Sequence, residues 1–582
     1  MKANKQMVIW GAGKIERGFI GDLFDEAGYK LVFVDVNKDL VEQMRVQNSY
    51  TLYHLKSETQ QNKRIISDFT VLHTDEKEEV QKALLGTSLM ALSLFPNAFD
   101  STARQIAAHL EQRKEYEEAP PLQIIICANI HHPAPILASY IEKHLSSEGK
   151  KYFSTQVALI ESLVIRMAVP PKPEMIEEDP LVIMTNGYEE LTVDGSAFLT
   201  EYPSVPGLRF SKNIHAEEVR KMYTYNMVHA VFAYTGNVYG HLTIAQALQE
   251  KAIMTIVHGA LKEIGSALIA RFGFSEEEMA QWNQQVIENM SNPILGDTIA
   301  RVGADPKRKL AKNDRLIGPA LICREEGIYP YYLSVAIASA FLYANNDDAA
   351  AVEIQDYLSY YSVKQALAHY CGISDKPELV SLIAGLYARI KEHRLDFITE
   401  EQARVALIAK AYAHGFMNEK TIKGCAQCLI KSIGEITNNP QNSLFKAASG
   451  LSGGIAITGD GSCGGYTGGV MLMGFYKGRR LDHLKDGDKI EQYTSYYMAQ
   501  DLHDRFEKTY GSVTCSEIHK TIFDRFYCLR TKAVRNEFEE AGAHKDKCTT
   551  VIAAATAWVA ELLMDYKIID EQGAVLDELS TV

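Results

Sequence analysis

With 582 residues the chain is too long for one hydrophobic core and must divide into several domains. A composition of 46% apolar and 23% charged residues, without an apolar run of about 18, fits a globular chain and argues against a membrane span or extended disorder. The net charge of −14 argues against nonspecific nucleic-acid binding.

The opening "MKANKQMVIWGAG" passes from a short polar arm into a strand without a signal-peptide core, which predicts a cytoplasmic protein. In a reducing compartment its nine cysteines are thiols, metal ligands or redox groups rather than structural disulfides. Over residues 1–205, runs of strand length such as "MVIW", "LVFVDV" and "LQIIICAN" alternate with segments of helical period, predicting an α/β Rossmann-like domain with a parallel sheet. Its first turn, "GAGKIERG", places Gly11 and Gly13 where a dinucleotide-binding turn needs them, with Ala12, Lys14 and Ile15 completing the turn. Asp35 ends the second strand, placed to accept hydrogen bonds from an adenosine ribose and to repel a 2′-phosphate, so NAD is favoured over NADP. Glu16 stands where the third, helix-packing glycine belongs. It predicts a helix seated farther from the sheet, with Lys14 and Arg17 offsetting its charge.

Residues 206–395 change to long amphipathic segments and predict an α-helical substrate domain. Within "EVRKMYTYNMVHAVFAYTG", Lys221, Asn226 and His229 fall on one side of a helix at about 100° per residue. The helix is apolar around most of its circumference, so this polar set predicts a cleft, although a solvated polar face has the same spacing. A lysine kept from water in such a cleft can act as general base on an alcohol, with Asn226 donating to the alkoxide and His229 orienting or relaying. No metal is required for that chemistry.

Residues 396–582 predict a second all-α domain, rich in cysteine and interrupted by "SGLSGGIAITGDGSCGGYTGG". Cysteines on separate helices around that loop can converge as ligands of zinc or an iron–sulfur cluster, pair as dithiols, or stay buried and inert.

"GAGKIERGFIGDLFDEAGYKLVFVDVN", "KMYTYNMVHAVFAYTG" and "NPILGDTIARVGADPKRKLAKNDRLIGPA" together resemble the mannitol dehydrogenase family of polyol-specific long-chain dehydrogenases, as far as about Arg394. The resemblance implies a Rossmann domain and a helical substrate domain, NAD, no zinc, and catalysis by Lys221 as acid/base with Asn226 and His229. It implies a place for Asn129 beside the cofactor, although the family's Cys-Glu-Asn is here Cys127-Ala128-Asn129. The family's Val-Asp-Arg is here Val164-Ile165-Arg166. With the resemblance in hand, the basic run from Arg301 to Arg315 suits a substrate phosphate, with Arg308 and Lys309 as its ligands. From about residue 396 the chain resembles a second family, small helical proteins with a C…GCAxxG…C…C pattern taken to be redox-active or metal-binding, which implies Cys425, Cys463, Cys515 and Cys548. Cys428 and Cys528 fall outside that pattern.

The combined expectation is an NAD-dependent oxidoreductase interconverting a sugar-alcohol phosphate and a ketose phosphate, fused to a cysteine-rich redox or metal-binding module. Its partner is a small polyol or sugar phosphate, not nucleic acid or membrane. A redox sensor or electron carrier whose dehydrogenase-like part binds nucleotide with little turnover is the alternative, favoured by Glu16 and Ala128.

Overall fold

The computed structural model describes residues 5–55, 61–94, 96–128, 130, 132–292, 296–481, 484 and 490–576, so Asn129 lies outside the described residues. The chain forms two compact units, the first running to Lys221 and the second taking in nearly everything from Met222 onward.

The first unit holds twelve strands: β1 (Gln6–Trp10), β2 (Lys30–Asp35), β3 (Ser49–Leu55), β4 (Gln61–Ser67), β5 (Thr70–His73), β6 (Leu89–Leu92), β7 (Leu122–Ile126), β8 (Val157–Leu163), β9 (Ala168–Val169), β10 (Ile183–Thr185), β11 (Leu191–Asp194) and β12 (Leu208–Ser211). Eight make one sheet in the order β12-β11-β8-β7-β6-β1-β2-β5. From β5 to β8 every pairing is parallel, and β1 sits centrally with Ile9 opposite Phe33 of β2 and Ala91 of β6. This is the doubly wound nucleotide-binding order, in which the strand order reverses next to β1 and leaves a crevice at the strand ends. Met7, Ile9 and Phe33 enter one core with Phe19 and Phe24, whereas Val8, Trp10 and Val34 enter another with Ile106 and Leu110. Burial on both faces is why these strands read as unbroken apolar runs.

Two features depart from a purely parallel sheet. β11 runs antiparallel to β8, and a second sheet of order β4-β3-β10-β9 carries an antiparallel β3–β4 hairpin. In "SYTLYHL" alternate residues are buried, the signature of a strand with one covered face rather than two.

The second unit is helical. Its helices Lys251–Phe272 and Ala543–Asp565 are long and apolar enough to cross a membrane, but most of each is buried against other protein. Residues of the predicted substrate and cysteine-rich segments share this one unit. Arg324, 2% exposed, pairs with Glu378, donates to Thr550 Oγ1 at 2.9 Å and lies 3.6 Å from Asp546. Removing one partner from such a buried charge set is far more costly than breaking a surface pair, so this junction is a firm one.

Candidate functional site

After β1 the chain turns at Gly11, whose φ of 109° a residue with a Cβ rarely adopts. The Gly11 N–H donates to the Val34 carbonyl at 2.7 Å. Asp35 closes the turn by accepting the Ala12 N–H on Oδ2 at 2.6 Å and the Asn37 N–H on Oδ1 at 2.8 Å. Gly13 and Ile15 are half-buried beside it, and Lys14 is exposed.

Glu16 does not push the helix away from the sheet. The helix begins instead with a π turn, Glu16–Gly21, a widening common at functional sites. Carbonyls of this turn find other donors: Arg17 O accepts from the Tyr50 hydroxyl at 2.8 Å, and Gly18 O from Arg166 Nη1 at 2.9 Å. Arg166 also reaches Asp22 at 2.6 Å, so the Val164-Ile165-Arg166 segment anchors this turn. Close packing of this helix on the parallel sheet falls to Gly21, where a Cβ would lie 3.1 Å from Phe33 Cζ, while at Gly18 a Cβ would lie 2.7 Å from Ile183 Cγ2 of the second sheet. The Glu16 side chain folds back over the loop, and a Cβ on Gly11 or Gly13 would meet its carboxylate oxygens at 2.9 and 2.6 Å. Burial raises the Glu16 carboxyl above its usual range, against hydrogen bonds from its own backbone and the Ser93 side chain that act the other way. Arg17 offsets part of the Glu16 charge from a buried position, bonded to the Ala12 and Leu181 carbonyls at 2.7 and 2.8 Å. The turn therefore fits a dinucleotide at its ribose end, while at the pyrophosphate end Glu16 covers the glycines.

Lys221 is half-buried at the C-terminus of helix Ile214–Lys221. One turn before it, Glu218 has its carboxyl pushed up to about 7 by burial and by the Glu161 charge, with Lys221 and the His132 N–H pulling the other way. The rings of His132 and His215 stack at 5.3 Å, and His132 Nδ1 lies 3.5 Å from Glu161. Ligand atoms of His132, His215 and Glu218 lie within 4.8 Å of one another, a group among the described residues that could hold a metal ion. Sequence spacing misses this group because His132 is in the loop after β7 and the other two are on a helix 80 residues later.

Between Lys221 and Asn226 the helix is not α-helical: Met222–Asn226 is a second π turn, after which helix Met227–Tyr239 continues. A 100° projection of the three side chains therefore does not apply through this segment. Asn226 Nδ2 contacts Met222 Sδ at 3.2 Å, a weak acceptor that a substrate oxygen would outcompete. His229 is held by Asp297, whose Oδ2 lies 2.7 Å from Nε2. Burial, with Arg301, Arg315 and Lys309, pulls the His229 imidazole down to about 4. The ring is thus neutral at pH 7, with Nε2–H donating to Asp297 and Nδ1 left as the acceptor. Asp297 also pairs with Arg301.

The two basic residues of the predicted phosphate pair differ. Arg308 is exposed and bonded to Asp305 at 3.2 Å, whereas Lys309 is buried, bonds the Ala304 carbonyl and is lowered to about 8 by burial and then by Arg315 and Arg308. Lys309, Arg315 and Arg301 form the cationic surroundings of His229. Asp297 lies within a segment the sequence comparison singles out, but 68 residues from its histidine, so only folding reveals the pair.

All nine cysteines are free thiols. Cys425, Cys515 and Cys548 each begin a helix (Cys425–Ile436, Cys515–Phe523 and Cys548–Asp565), and Cys463 caps helix Gly464–Lys477. An antiparallel bridge between Ser462 and Thr514 draws Cys463 and Cys515 together, with Cys463 N–H donating to Val513 O at 2.7 Å and Cys515 N–H to Gly461 O at 3.0 Å. Cys548 lies within electrostatic reach of Cys515, Cys463 and Cys425. Burial pushes Cys515 up to about 12 and Cys425 to about 11, and raises Cys463 and Cys548 as well. His519 Nε2 sits 3.6 Å from Cys515 Sγ and 3.9 Å from Cys548 Sγ. Neither His519 nor the buried Glu419, whose charge is felt by all these thiols but Cys463, carries a sequence signal. Cys428 is buried beside Glu419, and Cys528 is exposed.

Residues 5–207 match the mannitol dehydrogenase Rossmann domain, residues 213–391 the mannitol dehydrogenase C-terminal domain, and residues 424–562 the C_GCAxxG_C_C family of proposed redox-active proteins. Mannitol-1-phosphate 5-dehydrogenase of Brevibacillus brevis is 31% identical over 385 residues, covering 66% of this chain and 98% of that relative. Among solved structures, mannitol 2-dehydrogenase of Pseudomonas fluorescens, a ternary complex with NAD and D-mannitol, superposes with a TM-score of 0.54 at 14% identity, covering 69% of this chain and 95% of that one. A D-sorbitol dehydrogenase in substrate-free form gives a TM-score of 0.57 at 14% identity, covering 68% and 95%. At that identity the structural likeness speaks for the fold.

Proposed function

The chain belongs to the mannitol dehydrogenase family, with NAD as its expected cofactor, and on that premise we propose that it interconverts mannitol 1-phosphate and fructose 6-phosphate, with Lys221 as general acid/base. Bound NAD supplies the hydride acceptor. The chain's own groups handle the proton and the oxygen. The Lys221 amine takes the hydroxyl proton as the carbon–hydrogen bond breaks, and Asn226 Nδ2 donates to the oxygen as its charge develops. Glu218, one turn away and held near neutral pH, passes that proton on.

The observation that carries this reading is His229 held by Asp297 at 2.7 Å within electrostatic reach of Arg301, Arg315 and Lys309. That basic run, in which Arg301 pairs with Asp297 and Arg315 with Asp314, would bring cationic donors to a substrate phosphate. The test is Lys221→Ala: NADH oxidation with fructose 6-phosphate falls by at least about 100-fold while NADH binding is nearly unchanged. Retained turnover would remove Lys221 from its role.

In the cysteine-rich part, four buried or half-buried cysteines gathered at helix starts favour a redox or metal-binding module. A nucleotide-binding protein with little turnover is the competing reading for the whole chain, and Glu16 over the glycine turn favours it. Steady turnover on any sugar phosphate or free polyol excludes that alternative.

A further inference from the structure

Within the first unit, the loop after β7, strand β8 and helix Ile214–Lys221 bring two imidazoles and two carboxylates together. His132 is set by its backbone. Its φ of 48° and ψ of 62° lie in the left-handed region, which a residue with a Cβ seldom adopts, just before Pro133 opens a helix. Such strain persists where the surroundings fix it, and it collects at functional sites. The His132 ring stacks on that of His215 with 5.3 Å between centroids and 14° between planes. Its backbone N–H donates to Glu218, and its Nδ1 lies 3.5 Å from Glu161 Oε2. Glu161, 6% exposed, is fixed in turn by the Ala134 N–H, which donates to Oε1 at 3.1 Å.

One ligand atom from each of His132, His215 and Glu218 lies within 4.8 Å of the other two. Zinc holds nitrogen and oxygen ligands at about 2.0–2.2 Å, hence about 3.4 Å from one another in a tetrahedron, so side-chain rotations of about an ångström close this group on one ion. Two imidazoles and a carboxylate are a three-ligand set that zinc uses where one position stays open. Glu161 stands where an outer carboxylate orients a ligating histidine through its other nitrogen. His132 is exposed and His215 and Glu218 are half-buried, so an ion reaches them from solvent. A hydrogen-bonded polar wall is the plain alternative, but it needs no second carboxylate. Here the Glu161 charge reaches both His215 and Glu218, with Lys221 as the cation opposing it at Glu218, and a divalent ion balances what one ammonium leaves.

We propose that His132, His215 and Glu218 bind one divalent ion of the zinc class, with Glu161 as a positioning residue that orients His132. The site goes beyond the dehydrogenase reading and does not depend on Lys221 as the base. Binding displaces any proton on Glu218 and keeps both imidazoles neutral. One consequence does rest on that reading. Glu218 bound to the ion cannot pass on a proton, so the ion slows turnover and is no cofactor of hydride transfer.

The test is titration of the full chain, first stripped with a chelator, with zinc by calorimetry and with cobalt(II) by visible spectra. Wild type is expected to take up one zinc whose affinity falls at least about 100-fold in His132→Ala and in His215→Ala. Glu161→Gln, which keeps the shape but not the charge, weakens it about 10- to 100-fold and shifts the cobalt bands. Because thiols of the second unit can take zinc as well, the site is read from the difference between wild type and variants, and from cobalt bands without thiolate charge transfer. Those bands on wild type need no substitution, and circular dichroism checks the fold of each variant. Binding curves of wild type, His132→Ala and His215→Ala that agree within about twofold overturn the site, as does cobalt that shows thiolate bands alone. Zinc that binds yet leaves fructose 6-phosphate reduction unchanged keeps the site and removes Glu218 from the proton path, whereas zinc inhibition that His215→Ala abolishes supports both.

Discussion

Glu16 offers the sharpest test of how the nucleotide turn works. Its carboxylate lies over Gly11 and Gly13, where the backbone would approach a pyrophosphate. Two unit charges about 6 Å apart at an effective dielectric of about 20 repel by about 3 kcal/mol. Side-chain rotation and solvent relieve about half of that, leaving about 1.5 kcal/mol, or roughly tenfold in affinity. Glu16→Gln is therefore expected to tighten NADH binding about tenfold at pH 8. The sign of the pH effect follows from linkage. Burial already raises the Glu16 carboxyl in the free protein, and a bound pyrophosphate raises it further, so binding takes up a proton. Wild-type affinity accordingly falls as pH rises between the free and the bound pKa, and the gap between wild type and variant closes on acidification. Fluorescence titration with NADH from pH 5 to 8 reads both quantities. Dissociation constants equal within about twofold at pH 8, or a gap that widens toward pH 5, would refute the reasoning.

Asp297→Asn replaces an acceptor-only carboxylate with an amide that can also donate to His229, so the tautomer is no longer selected, and a loss of kcat of about 10- to 100-fold is expected with NADH affinity unchanged, read by steady-state kinetics beside direct binding. Lys309→Ala is expected to raise the KM for fructose 6-phosphate about tenfold or more, whereas Arg308→Ala, at an exposed pair with Asp305, changes it less than about twofold. Because His229 is held at about 4 when folded and near 6.5 when unfolded, the unfolded chain binds the extra proton between those values. Stability is thus lost as pH falls from about 6.5 toward 4, and His229→Gln should flatten that part of a urea-midpoint profile.

Much of the nucleotide-binding unit is legible in the order of residues. Strands buried on both faces are continuous apolar runs, and the glycines with Asp35 at the end of β2 mark the turn, because each of these signals is contained within a few consecutive residues. The same holds for residue types: lysine, asparagine and histidine close together on one helical stretch, and four cysteines of a recognisable pattern. The one-sided hairpin strand β3 and the two π turns are weaker signals, since alternation is short and a single added residue in a helical turn leaves no mark on composition.

What depended on tertiary structure are the partners. Glu16 folds back onto the glycines while Gly21 packs against Phe33, Gly18 against Ile183 of the second sheet, and Arg166 holds the widened turn, contacts that join segments far apart in the chain. Asp297 meets His229, and Lys309 rather than Arg308 turns inward, through packing of helices far apart in the chain. The four cysteines are distributed over more than a hundred residues, and only folding brings their helix starts near one another, with His519 beside Cys515 and Cys548. Residue order carries the chemistry each side chain can perform and the local period that shapes its element. Which charges, thiols and carbonyls face one another is a long-range property, set by how the elements bury their apolar faces together.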